Sequence, residues 1–172
     1  MKNLFLIGLA VILFTACQES KPDRYFTSSP EIDSLKELIS DYHEGDWESW
    51  VGHYADTAKI FHNNVKNGIS PKETAKSLKE ILTNVSSYKF DESDGSIFHE
   101  MIITDNGDKW VHFWGNWQGT MAANGEQLEI PVHLAMNFVD GKIVSEYGFY
   151  NLSEFTALLD QIAAFVNEKE SE

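Results

Sequence analysis

A single cysteine, Cys17, occurs in 172 residues, so no intramolecular disulfide holds this chain together. Positive charge is also scarce: 13 lysines and arginines stand against 27 aspartates and glutamates, for a formal net charge of −14. Such a chain repels phosphate backbones, and no nucleic-acid partner is expected. There is no glycine-rich phosphate loop and no nucleophile elbow. The six histidines show neither His-x-x-x-His nor His-Glu-x-x-His spacing, and no second cysteine is available to join them, so neither a metal nor a cofactor is expected. Long apolar runs are missing too. The longest, Leu4 to Phe14, spans about half of the ~20 residues that a helix needs to cross a bilayer.

That run is informative in another way. It follows Lys2 and ends in small residues before Cys17, the layout of an export signal. Phe14-Thr15-Ala16-Cys17 resembles the lipobox of bacterial lipoproteins, with phenylalanine in place of the usual leucine. The resemblance implies that residues 1–16 are removed and that Cys17 carries acyl chains, two or more of which anchor a protein stably. The expected location is a bacterial cell envelope, with inner and outer membrane both open. Residues 17–28 are largely polar and read as a tether, residues 29–168 as one domain, and residues 169–172 as an acidic tail.

Within the domain, 42% hydrophobic and 13% aromatic content suffices for a real core. Ser29-Pro30 followed by Glu31 and Asp33 is a helix start, and Gly45 is its stop. Asp46 can cap a second, short helix. Ser70-Pro71-Lys72-Glu73 is a capping box opening a third, with Ala75, Leu78, Ile81, Leu82 and Val85 as its apolar face. The period then changes to two. Ser96–Thr104, Lys109–Thr120, Glu126–Val139 and Lys142–Tyr150 are separated by Asn106-Gly107, Asn124-Gly125 and Asp140-Gly141, which are hairpin signals. A last helix follows Ser153, with Phe155, Leu158, Leu159, Ile162, Phe165 and Val166 on one face. Helices followed by an antiparallel meander predict an α+β fold.

The order of these elements, together with Tyr42-His43-Glu44-Gly45-Asp46, His53-Tyr54-Ala55-Asp56 and Phe138-Val139-Asp140-Gly141-Lys142-Ile143, resembles the nuclear transport factor 2-like superfamily in its SnoaL-like (polyketide cyclase) and ketosteroid isomerase branches. The resemblance spans about Ile32 to Leu152. It implies a cone-shaped α+β barrel, with three N-terminal helices on the concave face of a strongly bent antiparallel sheet, a C-terminal helix and an apolar cavity. It also implies dimers formed through the outer sheet face. Family members include both enzymes and non-catalytic binding modules. The position of the ketosteroid isomerase base is His62 here, one oxyanion donor position is Leu38, and the other, shared with the SnoaL-type acid/base aspartate, is Leu134. Leucines cannot stabilise an oxyanion or carry a proton, so neither family mechanism is expected.

By the same alignment, the pocket is expected to be lined by Tyr54, Ile60, His62, Phe113, Trp117, Val132, Leu134, Met136, Glu146 and Tyr150, with Val144 and Gly148 also facing inward. Two readings of this set stand. One is a non-catalytic domain holding a small apolar or amphipathic ligand. The other is a lyase, isomerase or hydrolase in which His62 acts with Glu146 or Tyr150 as acid/base, since a neighbouring carboxylate would orient the imidazole. A hydrogen-bonded, half-buried His62 with Glu146 as structural partner accounts for the same residues. Trp110, His112, Trp114 and His133 fall on the opposite strand face, rich in aromatics and poor in charge, and are expected to form a homodimer interface.

Overall fold

The computed structural model describes residues 22–170, and their side chains through residue 164. The proposed signal and Cys17 lie outside the described residues. Helix α1, Pro30–Glu44, begins where the Ser29 hydroxyl accepts from Ile32 N and ends at Gly45, whose φ of 71° releases the chain. Its buried face carries Ile32, Leu35 and Leu38. Helix α2, Trp47–Gly52, is capped by Asp46 and buries Trp50. Helix α3, Pro71–Leu82, has the full reciprocal capping box between Ser70 and Glu73. Val85, expected on this helix, instead begins strand β3, because α3 ends at Leu82. Helix α4 runs from Ser153 to Glu170 and takes in the first residues of the expected acidic tail. Its Phe155 and Leu158 are buried, whereas the side chains of Phe165 and Val166 lie outside the described set.

Seven strands form one sheet: β1 Tyr25–Phe26, β2 Tyr54–His62, β3 Val85–Phe90, β4 Phe98–Ile103, β5 Lys109–Met121, β6 Gln127–Val139 and β7 Lys142–Tyr150. Their order is β1-β4-β5-β6-β7-β2, and β3 pairs with β5 beside β4. The four-strand meander β4 to β7 is antiparallel, as the turn residues predict. Asp140 and Gly141 both take positive φ, 49° and 76°, the geometry of a tight two-residue hairpin.

The sheet as a whole is mixed, which corrects the all-antiparallel expectation. Strand β2 runs parallel to β7, pairing Ile60 with Glu146 and His62 with Gly148. Tyr25 and Phe26 pair with Ile102 and Met101, so the sheet also claims part of the segment expected to be a tether. A further correction falls on β7. Asn137 pairs with Ser145 but Phe138 with Ile143, leaving Val144 as the extra residue of a bulge. Ile143 is consequently fully buried, where simple alternation placed Val144 inward.

The helices cover one face of this curved sheet. Facing them on β5 are Val111, Phe113, Gly115, Trp117, Gly119 and Met121, all buried. This row alternates large with absent side chains for a steric reason. A Cβ at Gly115 would meet the Phe113 ring at 2.4 Å, and one at Gly119 would meet the Trp117 ring at 2.3 Å. Each aromatic thus lies flat over the glycine two residues on, filling the inner layer without protruding through it.

Candidate functional site

Between α1, α3, α4 and the inner sheet face is a cavity of about 120 Å³. A cavity of about 150 Å³ lined by aliphatic and aromatic side chains accommodates benzene, so this one has room for a single compact group. Of the residues expected to line it, His62, Trp117, Val132, Leu134, Glu146 and Tyr150 do. Tyr54, Ile60, Phe113 and Met136 do not. Tyr54 turns its hydroxyl to Glu146, and Ile60 borders a second recess of about 200 Å³ with His62, Asn64, Asn67, Ile69 and Thr74. Phe113 is spent over Gly115 and packs edge-on against Phe90 at 4.8 Å, and Met136 is fully buried opposite Glu146.

The helices supply much of the remaining wall. Leu38, Ile39 and Tyr42 come from α1, Leu78, Ile81 and Leu82 from α3, and Phe155 from α4. Tyr42 was the legible omission, since it stands one helical turn after Leu38 and therefore shares its face. Its oxygen accepts from Trp117 Nε1 at 3.1 Å, and burial pushes its ionisation well above the usual phenol range. Leu38 and Leu134, at the two family donor positions, both border the cavity as plain aliphatic surface.

Glu146 is the polar centre of the site. It is 1% exposed and therefore needs partners, because an unpaired buried carboxylate is strongly disfavoured. Tyr54 Oη donates to its Oε2 at 2.5 Å, and His62 Nε2 donates to its Oε1 at 2.7 Å. The two donors come from opposite ends of β2, while Glu146 sits on the neighbouring parallel strand. That strand pairing alone brings together residues 92 and 84 positions apart. Gly148 makes the His62 contact feasible. A Cβ there would lie 2.5 Å from His62 Cδ2, so the bare backbone lets the imidazole fold across β7 to reach Glu146. Asn63, at φ 51°, fixes the strand end beyond it: its N–H donates to Gly148 O and its side-chain oxygen accepts from Tyr150 N.

Tyr150 completes the arrangement, its ring edge-on to His62 at 5.5 Å between centroids. Burial, and then the nearby Glu146 charge, push its hydroxyl up to about 12. Burial and Glu146 likewise raise Tyr54 far above its ordinary range. Both phenols are thus neutral beside a carboxylate, and Tyr54 donates to it. The chain Tyr54–Glu146–His62 can orient an imidazole and take up or release a proton beside an apolar space. A second polar trio, Ser34–His53–Asp41, joins α1 to the end of α2 at 3.2 and 2.8 Å, and none of its members borders the cavity.

The opposite face of the sheet carries the residues expected at an interface. Phe98, Trp114, His133 and Phe149 are paired in register across four successive strands. Their rings form one continuous row, with centroid separations of 5.6, 4.4 and 6.0 Å. His112 Nδ1 and His133 Nε2 are 3.1 Å apart, in rings tilted by only 9°. Desolvation lowers both imidazoles below the ordinary histidine range, with His112 adding to the effect on His133. Trp110 lies further along the face, 6.1 Å from the Tyr147 ring. His112 is therefore on the convex side, away from the cavity.

Neither a family model nor a curated protein matches the sequence. Solved structures do match the fold. A candidate polyketide cyclase from Xanthomonas campestris aligns at 16% identity over 74% of this chain and 95% of its own, with a TM-score of 0.59. A nuclear transport factor 2-like protein from Burkholderia pseudomallei aligns at 13% identity over 76% and 98%, with the same score. A candidate SnoaL-like polyketide cyclase from Shewanella denitrificans aligns at 13% identity over 78% and 99%, with a score of 0.57. The chain has the SnoaL-like, nuclear transport factor 2-like fold.

Proposed function

We propose that this protein is a small-molecule-binding domain, displayed on a bacterial membrane by acyl chains on Cys17 and paired with a second copy through its convex sheet face. The observation that carries the binding reading is a cavity of about 120 Å³ walled by aliphatic and aromatic side chains, with one oriented polar cluster at its edge. Apolar concavity with a few convergent polar groups is the usual composition of a ligand site. Its inner space takes one ring or a short branched chain. The cross-strand row Phe98–Trp114–His133–Phe149 supports the pairing, because aromatics are enriched at interface centres.

The 2.7 Å contact between His62 and Glu146 favours a second reading, in which the occupant undergoes proton transfer. His62 would be the acid/base, Glu146 its orienting partner and Tyr150 a neutral donor to developing charge. Leu38 and Leu134 keep this chemistry apart from that of the family's enolate-forming enzymes.

Native mass spectrometry of protein from its own host tests the binding reading. The expected result is one small adduct per chain that is lost when Leu134→Trp fills the cavity. An adduct retained in that variant would place the ligand elsewhere. Any turnover found with such a ligand should fall by about 10²-fold or more in His62→Ala if the acid/base reading is right.

A further inference from the structure

The cavity wall contains no lysine or arginine. Its one carboxylate is Glu146 and its one imidazole is His62. Six aromatic side chains surround the same space: Tyr42, Trp50, Phe90, Trp117, Tyr150 and Phe155. Aromatic faces carry the negative end of a quadrupole and attract cations, most strongly where water is excluded. Tyr42 and Tyr150 remain neutral, so they add π surface without a second charge. Glu146 has two donors on a group that offers about four acceptor sites, which leaves it capacity toward the cavity. A formal charge of −14 on the chain favours the approach of cations over anions.

We propose that the cavity receives a compact organic cation, an alkyl-substituted ammonium group of a free small molecule, held against aromatic faces with Glu146 as its counter-charge. The inference rests on the cavity being a ligand site and names the class of ligand. The room available matches an ammonium bearing a few methyl groups. An anion would meet Glu146 with no cation to hold it but His62, and a neutral hydrocarbon of the same shape would leave the carboxylate unused.

Choline and its uncharged analogue, with a tert-butyl group replacing trimethylammonium, have one shape and differ in charge. Titrations on the full chain, followed through tryptophan indole NMR signals, should show choline binding about tenfold tighter. Glu146→Gln should reduce that preference to about twofold or less. The comparison on the wild-type protein stands by itself if the variant folds poorly. Equal affinities would overturn the cation inference and leave the binding reading intact, whereas no shift with either probe would count against both. Sedimentation with phosphatidylcholine vesicles, competed by choline, would overturn the assignment to a free solute and place the ammonium group on a lipid headgroup.

Discussion

The two faces of the central sheet are built from the same strands and have opposite characters. On the concave side, Phe113 is fully buried, and the Phe113 and Trp117 rings are folded over Gly115 and Gly119. On the convex side, its neighbour Trp114 is 37% exposed, and the rings stack on one another from strand to strand. One face hides aromatics within a core and leaves a small space beside a single carboxylate. The other arranges them as a row that only a second surface could cover. Aromatic content alone therefore says little about role. What separates the two faces is burial, since rings on both sides have ring neighbours but only the convex row is left partly in water.

This contrast is sharpest in neighbouring substitutions. Phe113→Ala should cost about 3–5 kcal/mol in urea denaturation, because it removes a ring with no exposed surface and leaves a void. Trp114→Ala should cost the isolated domain about 1 kcal/mol or less, since part of its surface is already in water. Similar losses from both would erase the distinction between the faces.

Next in size is association. Trp114→Glu places a charge in the middle of the cross-strand row and should weaken dimerisation by about 2 kcal/mol or more, giving monomers by light scattering at micromolar concentration. Dimers of unchanged stability would remove the convex face as the interface.

The smallest effect concerns pH. His112 and His133 are held as neutral imidazoles, their values depressed by burial from the ordinary 6.5. A histidine lowered in the fold stabilises it fully above that range, and its contribution declines as pH falls through about 6.5 toward the folded value, because the unfolded chain then binds the extra proton. Stability should therefore fall on acidification from neutral pH. His43 and His99, also depressed by burial, contribute in the same direction. Replacing His112 and His133 together by glutamine should flatten part of that slope in urea midpoints measured between pH 7.5 and about 5. An unchanged slope would show that the convex pair does not sense pH.

Much of the fold was legible because its determinants are local. Ser29-Pro30, Ser70-Pro71-Lys72-Glu73 and Asp140-Gly141 act through hydrogen bonds and dihedral angles within a few residues, and each produced the element it predicted. Along β6, Ile130, Val132, Leu134, Met136 and Phe138 alternate with more polar residues, and all but the half-buried Val132 lie in the core. Alternation failed at Val144, where a bulge turns Ile143 inward in its place, while Glu146, Gly148 and Tyr150 keep the inward positions expected of them. It also fails to distinguish a residue that borders a cavity from one packed behind it. Phe113 and Met136 share the parity of Trp117 and Leu134 but lie within the core. Whether an inward side chain meets space or other atoms depends on helices brought over it from elsewhere in the chain.

By itself, the sequence determined the export-signal pattern, the charge, the helix caps, the hairpins and the two-faced character of β5 and β6. The family resemblance placed His62 and Glu146 on inward positions of two strands. Tertiary structure decided that those strands run side by side in parallel, that Gly148 lets the imidazole cross to the carboxylate, and that Tyr54 closes the chain from the other end of β2. It decided too that α1, α3 and α4 leave about 120 Å³ unfilled. Local rules give each residue a face. Its neighbours across 84 or 92 positions follow only from how the sheet closes and how the helices pack on it.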